Sequence, residues 1–386
     1  MNAGTRTRRA FFVALFGFGA LRLTLWAPEV CPPFTADQAR AAAINAGNWI
    51  VTNQDDDGRF LYSWDRDTDE ESPDYNLVRH AGVTMSLYQL VAAGQIEYLE
   101  AADLGLSWML DRMVDTEGSG GPGVAFTDSG RAKLGASALL TVSLAQRRLV
   151  TGDPAHDATM IALGRFLVGQ QEASGAMANF YDVDDAAPSA GEYSIYSTGE
   201  APWAIALVHE VFPDLGFDEH AWRTLDYITT DRDTAEGFYP QPWPDQWAAY
   251  SLAEMTEWGL QEHHVDYARR LAERYAYFVR FDSQRGTVYG DITHGPAPRG
   301  SGIGTWIEGL AELREVVVHE PELADLIAPT NEVLACGASR LAEKQTGGGP
   351  DVDPRAAGAF FFDGETRMDD QQHAASGLLG AEIVLP

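Results

Sequence analysis

The chain has 386 residues, of which 45% are hydrophobic and 22% charged, a composition that can fill a large core and excludes an intrinsically disordered protein. It carries 57 acidic residues against 27 lysines and arginines, a formal net charge of -30. Because such a surface repels polyanions, we expect no nucleic-acid partner. No long Pro/Gly/Ser-rich linker interrupts the sequence, so we predict one domain over residues 36–386, after an N-terminal segment of residues 1–35.

Residues 1–35 have the pattern of a targeting segment. Three arginines, Arg6, Arg8 and Arg9, precede an apolar run from Ala10 to Trp26 that only Arg22 interrupts, as the charged and apolar regions of an export signal do. The adjacent Arg8 and Arg9 and the phenylalanines after them resemble a twin-arginine signal. No small-x-small cleavage site follows, so both a signal peptide and a retained anchor remain open. We expect a protein that is periplasmic, extracellular or membrane-anchored, and that touches the membrane only through this segment.

From residue 36 onward the sequence repeats one plan, in which two stretches with helical i, i+3, i+4 spacing are joined by a Gly/Asp-rich loop. Twelve such stretches make six hairpins. Since one hairpin cannot bury its own apolar face, we predict an all-α (α/α)6 toroid with an inner and an outer ring of helices. The even-numbered stretches are rich in Ala, Gly and Leu and are assigned to the inner ring. The predicted helices are 36–53, 76–93, 97–114, 131–150, 155–171, 196–212, 218–230, 244–258, 262–279, 300–318, 322–345 and 369–384.

Three loops after predicted helices, at residues 54–60, 171–177 and 345–360, share the order Gln, Gly, apolar. Glycine permits the left-handed turn that ends a helix, and the glutamine amide can satisfy free carbonyl groups there. These loops resemble the Gln/Trp-type repeats of the terpenoid-cyclase and prenyltransferase toroids, and similar loops occur in six-hairpin glycosidases. The resemblance implies the toroid architecture and leaves the reaction open.

Polar and aromatic side chains gather at the starts of the predicted inner helices, which a closed toroid brings to one mouth. Capping explains Asp, Asn and Ser at such positions but not Arg, Lys, His, Tyr or Trp, and cations are electrostatically unfavourable at a helix N-terminus. We therefore predict a functional cavity at this mouth. The candidate catalytic residues are Glu200, Asp245, Glu308, His80 and Tyr75. The candidate substrate-binding residues are Arg79, Lys133, Tyr193, Tyr196, Trp247, Arg299, Trp306, Asp370, Gln372 and His373.

These residue types point to acid–base chemistry on a sugar. A carboxyl group beside aromatic walls has a raised pKa, one beside Arg or Lys stays ionised, and such a pair can hydrolyse a glycosidic bond. Tyr or His could instead move the proton next to a uronic acid carboxylate, as in a lyase or an epimerase. We therefore expect an exported carbohydrate-active enzyme, a hydrolase, lyase or epimerase, whose partner is an acidic or polar glycan. Residues 367–373 resemble the C-terminal part of glucuronyl epimerase toroids, over a short stretch only.

Two other functions remain open. A toroid can bind a glycan or a peptide in its mouth without catalysis. The tetrad Asp182-Val183-Asp184-Asp185 matches the Asp-x-Asp-Asp pattern with which class II terpene cyclases protonate a polyene, which would imply a cyclase or prenyltransferase-like enzyme with Asp184 as the acid.

Neither a metal nor a cofactor is expected. His263 and His264 lack metal-ligand spacing, and no Gly-rich phosphate loop is present. Cys31 and Cys336 are the only two cysteines in the sequence, too few for a disulfide framework. They could pair, but we expect two free thiols.

Overall fold

The structure is a computed structural model that describes residues 3–25, 28–286, 288–349 and 351–386. All twelve predicted helices are present within these residues, together with an N-terminal helix, two short helices and eight short strands. The helices are α1 (Ala3–Leu25), α2 (Ala36–Thr52), α3 (Leu77–Ala92), α4 (Leu99–Leu110), α5 (Leu134–Thr151), α6 (Asp157–Gly169), α7 (Ser197–Val211), α8 (Asp218–Thr230), α9 (Arg232–Ala235), α10 (Gln246–Glu254), α11 (Glu262–Ser283), α12 (Val288–Thr293), α13 (Gly300–His319), α14 (Ile327–Ala342) and α15 (Met368–Ala381). The strands are β1 (Ser63–Asp65), β2 (Glu70–Glu71), β3 (Met113–Thr116), β4 (Gly123–Phe126), β5 (Arg131–Lys133), β6 (Phe180–Asp182), β7 (Ala187–Pro188) and β8 (Glu365–Arg367).

Six helices form a closed inner ring. Helices α3, α5, α7, α10, α13 and α15 each pack against the next, and α15 packs against α3. Helices α2, α4, α6, α8, α11 and α14 pack around them as the outer ring. This arrangement confirms the all-α (α/α)6 toroid and the assignment of the even-numbered predicted helices to the inner ring.

The composition of the inner helices follows from their burial. Every residue of α5 from Leu134 to Ala145 is buried, because the helix has neighbours in its own ring and in the outer ring. Such a helix needs small residues where backbones approach and cannot be amphipathic. By contrast, α11 buries one face and exposes the other. The sequence difference between the rings is thus a direct consequence of one-sided and all-round packing.

The three Gln-led loops have a different role from the one predicted. Each glutamine Nε2 donates to a backbone carbonyl of the neighbouring outer helix, at 2.8–3.0 Å. The amides therefore tie adjacent outer helices together and do not only satisfy the helix that they follow. The donor and acceptor pairs are Gln54 with Ala101, Gln171 with His220, and Gln345 with Ala42.

Three small antiparallel sheets stand at the N-terminal ends of the inner helices. Strand β1 pairs with β2 and also with β8, which lies some three hundred residues later in the chain. This pairing joins the first hairpin to the last and helps close the ring. Strand β6 lies between β5 and β7, and strands β3 and β4 form a separate hairpin.

The N-terminal region departs from one prediction. Cys31 and Cys336 form a disulfide bond, which corrects the expectation of two free thiols and fastens the segment before α2 to helix α14. The predicted targeting segment is helical over α1, and Trp26 at the end of its apolar run lies outside the described residues. No helix among the described residues combines the length and the apolar character needed to cross a membrane.

Candidate active site

A cavity of about 540 Å³ opens where the N-terminal ends of the six inner helices meet. Every inner helix, or the residue that caps it, contributes to its wall. The lining includes Asn76, Val78, Arg79, Lys133, Leu139, Asn179, Phe180, Ser194, Tyr196, Ser197, Glu200, Pro244, Gln246, Trp247, Ser301, Gly302, Thr305, Trp306, Arg367, Asp369, Gln372 and His373. A cavity therefore lies at the predicted mouth. It is the candidate active site, and we call it the active-site cavity.

Glu200 is the buried acid of this cavity. It lies one turn into α7, is 2% exposed, and its Oε2 has no hydrogen-bond partner among the described residues. Burial, assisted by the nearby charge of Asp245, raises the pKa of Glu200 to about 8, although Ser197 and Lys133 oppose the rise. Its carboxyl group is therefore protonated at neutral pH and can donate a proton to a ligand in the cavity.

Two glycines make room for this carboxyl group and for the one behind it. A Cβ atom on Gly135 of α5 would come within 2.1 Å of Glu200 Oε2. A Cβ atom on Gly199 would come within 2.4 Å of Asp245 Oδ2. At such distances a side chain at either glycine would force the facing carboxyl group to move, so glycine lets both groups keep their positions.

His373 of α15 faces the cavity from the opposite part of the ring, with Glu308 of α13 behind it. Its Nδ1 lies 2.7 Å from Glu308 Oε2, so a carboxylate there holds the proton on Nδ1 and leaves Nε2 to accept another. Burial lowers the pKa of His373, but Glu308, together with the charges of Asp369 and Asp370, outweighs it, and the net shift is upward. Burial also raises the pKa of Glu308, which His373 opposes. An imidazole held in this way has the chemistry of a general base.

The cationic side chains of the cavity differ in whether they already form an ion pair. Arg79 Nε lies 3.2 Å from Asp369 Oδ2, and Arg367 Nη2 lies 2.9 Å from the same oxygen. The two arginines thus share one carboxylate, and the three side chains together keep a net positive charge. Lys133, which precedes α5 and is exposed, has no ion pair or side-chain hydrogen bond among the described residues. It is the lining cation without an ion pair, and a ligand's negative group can reach it.

Aromatic rings form much of the remaining wall. Trp247, Trp306 and Tyr196 all line the cavity, and Tyr196 is 44% exposed there. Trp247 is backed by Trp203 at 5.8 Å between ring centroids, a stacked arrangement that fixes its orientation. Flat apolar faces of this kind suit the C–H faces of sugar rings.

The structure brings together eight of the fifteen residues predicted from the sequence. These are Glu200, Arg79, Lys133, Tyr196, Trp247, Trp306, Gln372 and His373. Glu308 reaches the cavity only through His373, so it positions a lining residue and does not line the wall itself.

Asp245 does not reach the cavity, which corrects its predicted place. It is fully buried, its Oδ1 accepts hydrogen bonds from the backbone N–H groups at the start of α10, and its Oδ2 is paired with the buried Arg232. Burial raises the pKa of Asp245, while Arg232 and these backbone donors oppose the rise. Both oxygens are occupied by capping and by the ion pair, so its influence on the site is electrostatic, through Glu200.

His80 and Tyr75 lie outside the cavity as well. The ring of His80 stacks on Trp108 at 4.3 Å, its Nε2 lies 2.9 Å from the Gly105 carbonyl, and its Nδ1 lies 2.7 Å from the Tyr75 hydroxyl. Burial lowers the pKa of His80 to about 3. The ring is therefore a neutral link between α3 and α4 rather than a group that faces a substrate.

Three further candidates stand away from the wall. Arg299 is paired with Glu365 and with Asp370. Asp370 also accepts hydrogen bonds from the backbone of Ser301, which joins α13 to α15. The hydroxyl of Tyr193 lies 3.2 Å from the Glu172 carboxylate on the outside of the ring. Arg299 and Asp370 thus form a structural network at the rim, which corrects their placement as ligand-binding groups.

Several lining residues were not predicted from the sequence. Asn179, Ser194 and Thr305 are polar groups without a distinctive motif, and Arg367 and Asp369 stand beside candidates that were chosen. Helical periodicity offered a signal for Asp369, because it lies four residues before His373 and therefore on the same face of α15.

Neither rival motif joins the cavity. Asp182 is paired with Arg131, and Asp184 lies exposed in the turn after β6, so the tetrad lacks the enclosed acid that a cyclase needs. A second cluster unites Asp226 with His263 and His264, whose ligand atoms all lie within 4.8 Å of one another. His264 Nδ1 accepts the backbone N–H of Gln261, so its Nε2 carries the proton in this arrangement and lies 2.9 Å from Asp226 Oδ1.

No protein-family model and no curated protein sequence matches the chain. Solved structures with the same fold include a D-mannose isomerase (TM-score 0.61, 12% identity) and a cellobiose 2-epimerase from Spirochaeta thermophila (0.60, 14%), each covering 90% of this chain and 97% of its own. An unsaturated glucuronyl hydrolase specific for heparin has a TM-score of 0.58 and 9% identity, over 90% of this chain and 97% of its own. The chain therefore has the six-hairpin α/α toroid fold of these carbohydrate-active enzymes.

Proposed function

We propose that this protein is a carbohydrate-active enzyme that moves a proton on the carbon next to the carboxylate of an acidic sugar, as an epimerase or a lyase does. The observation that carries the proposal is the presence in one cavity of a buried, protonated carboxyl group, Glu200, and a histidine base, His373, held by Glu308. The similar structures support a sugar substrate.

The base acts through Nε2 of His373. Glu308 holds the other ring nitrogen, so the imidazole keeps one tautomer and one orientation. Proton transfer to such a group is efficient when its pKa lies near the working pH. The upward shift of the His373 pKa is therefore suited to removing a proton from a carbon acid.

Lys133 supplies the reason for an acidic substrate. The carbon next to an ionised carboxylate is a poor acid, because removal of its proton adds a second negative charge to the same group. A lysine ammonium against that carboxylate offsets the charge as it develops. Lys133 has no partner of its own among the described residues, whereas Arg79 and Arg367 are held by Asp369.

The proton then follows one of two routes. His373 takes the proton from the carbon, and the electron pair of the C–H bond moves into the carboxylate as an enolate. If Glu200 returns a proton to the opposite face of that carbon, the product is the epimer. If the enolate instead expels the oxygen substituent on the neighbouring carbon, and Glu200 protonates that oxygen, the product is an unsaturated uronic acid.

Two alternatives use the same cavity. Hydrolysis by two carboxyl groups is less favoured, because the only carboxyl groups in the described lining are Glu200 and Asp369, and the latter is paired with Arg79 and Arg367. Epimerisation or isomerisation of a neutral reducing sugar is the second candidate. It is favoured by the fold shared with the D-mannose isomerase and the cellobiose 2-epimerase.

The test is incubation of the purified protein in D2O with uronic acid glycans and with neutral reducing sugars, followed by mass spectrometry of the products. The proposal predicts deuterium on the carbon next to the carboxylate, or an unsaturated product, with loss of both in His373→Ala and Glu200→Gln. New reducing ends without deuterium or unsaturation would show a hydrolase. A glycan that raises the melting temperature of the protein but is never altered would show a non-catalytic binder.

Export forms part of the proposal. A disulfide between Cys31 and Cys336 persists in oxidising compartments and is rare in the cytosol, which supports the targeting pattern of residues 1–35. Fractionation of the source cells, with thiol labelling before and after reduction, tests it. A cytosolic protein with two free thiols would contradict it.

A further inference from the structure

A second cavity, of about 390 Å³, lies on the outer wall of the toroid between α6 and α8. It is lined by Ser119, Gly120, Ile161, Arg165, Val168, Gln171, Leu215, Gly216, Phe217, His220 and Arg223. We call it the outer pocket. Its lining combines four apolar side chains with two arginines and a histidine, and none of its lining residues is acidic.

The two arginines are unusual in a chain with a net charge of -30. Arg131 and Arg355, for example, each contact two or more carboxylates. Arg165 has no ion-pair or side-chain hydrogen-bond partner among the described residues, and Arg223 donates only to the amide oxygen of Gln171, at 3.1 Å. Two exposed guanidinium groups without a carboxylate can therefore receive a ligand's anion.

His220 and Gln171 set the polarity of the same pocket. The Nε2 atom of Gln171 donates to the His220 carbonyl and to the Thr224 hydroxyl, so its Oε1 is the acceptor. That oxygen receives both Arg223 and His220 Nδ1, the latter at 2.7 Å. The Gln171 amide thus fixes the positions of Arg223 and His220. The N–H groups of these two side chains that do not face the amide oxygen stay available to a ligand.

The outer pocket and the active-site cavity are linked through strand β6 and the β3–β4 hairpin. Adjacent residues of β6 point to opposite faces of that sheet. Phe180 lines the active-site cavity, whereas the hydroxyl of Tyr181 lies 3.1 Å from the backbone nitrogen of Glu117 in the β3–β4 hairpin. The tip of that hairpin, Ser119 and Gly120, lines the outer pocket. A polymer that crosses the rim could occupy both.

We propose that the outer pocket is a second binding site for an acidic glycan, in which Arg165 and Arg223 hold a carboxylate or sulfate of a sugar that is several residues from the one in the active-site cavity. Leu215, which is 49% exposed, would lie against the sugar ring. The choice of glycan rests on the proposed function, but the anion-binding role of the pocket does not.

The test measures binding by the full-length protein of uronic acid oligosaccharides of increasing length, by calorimetry. For the wild type the affinity should rise once the chain is long enough to span both sites. In the double variant Arg165→Gln/Arg223→Gln this increase should disappear, leaving long chains about tenfold weaker or more while short chains bind as before, because charge-assisted hydrogen bonds are lost. Turnover of short substrates should be unchanged.

The matched control is Arg269→Gln, which removes an arginine of the outer wall that is already paired with Asp325. Neutral oligosaccharides of equal length and free sulfate complete the series. Equal affinity of the wild type and the double variant for every chain length would overturn the proposal. A second result would also overturn it. If the double variant lost the binding of free sulfate, while the affinity of the wild type for acidic glycans did not rise with chain length, the pocket would be a small-anion site. If acidic glycans bind with the predicted length dependence but none is altered, the proposed function fails and the outer pocket stands.

Discussion

Replacing Glu200 with glutamine should stabilise the protein at alkaline pH and inactivate it. Glutamine has nearly the shape of a protonated glutamic acid but cannot ionise. The carboxyl group is 2% exposed, and its Oε2 has no hydrogen-bond partner among the described residues. Its ionised form is therefore poorly solvated in the folded protein, whereas the unfolded chain lets it ionise freely.

The direction and the size of the change in unfolding free energy follow from the pKa of Glu200, which burial raises from 4.5 to about 8. Between these values the folded state binds a proton that the unfolded state has lost, so stability falls as pH rises through that window. At 1.36 kcal/mol per pH unit the full interval corresponds to about 5 kcal/mol. Relaxation around the ionised group reduces this, and we expect Glu200→Gln to gain about 2–5 kcal/mol over the wild type at pH 8 and little at pH 5.

The assay is urea unfolding of both proteins at pH 5, 6.5 and 8, with the free energy of unfolding compared at each pH. Glu100→Gln serves as the control, because it makes the same chemical change at an exposed position of α4. The control should show no pH-dependent difference from the wild type. If the difference between wild type and Glu200→Gln is the same at pH 5 and pH 8, Glu200 ionises normally and cannot be the acid proposed here.

Three further substitutions test the support of His373, the disulfide and the space around Glu200. Glu308→Gln should reduce kcat on the order of 10²-fold. It should also move the acidic limb of the pH–rate profile to lower pH, because the carboxylate that raises the pKa of His373 is gone. If this limb does not move, the titration belongs to another group. Cys336→Ser should lower the free energy of unfolding by about 2–5 kcal/mol, and a reductant should then destabilise the wild type but not the variant, as measured by urea unfolding. Gly135→Ala should displace the Glu200 carboxyl group, because the added methyl group would lie 2.1 Å from its Oε2. We expect at least tenfold lower kcat, with a melting temperature within a few degrees of the wild type, because the higher helix propensity of alanine, about 1 kcal/mol, offsets part of the crowding. An unchanged kcat would contradict the geometry.

The pH dependence of activity combines these groups. His373 must be unprotonated to act as a base, so the rate should rise as pH increases through its raised pKa. Glu200 must be protonated to act as an acid, so the rate should fall above about pH 8. A bell-shaped profile is the expected result.

The sequence determined the architecture because the signals for it are local. Apolar spacing located twelve helices, and the Ala/Gly/Leu content of alternate helices identified the inner ring, since a helix packed on all sides has no polar face. The glycine of each Gln-led loop was also readable, because the left-handed turn disfavours other residues. The position of the cavity followed from the shared direction of the inner helices.

Only the tertiary structure decided which atoms reach that cavity. Successive residues of a helix differ by 100° in direction, so Asp369 lines the wall while Asp370 beside it binds Arg299. Distance along the helix also matters. Glu308 lies more than two turns into α13, so it contacts the lining residue His373 but does not line the cavity itself. The disulfide depends on contacts between residues 305 positions apart, and no local pattern encodes such a distance.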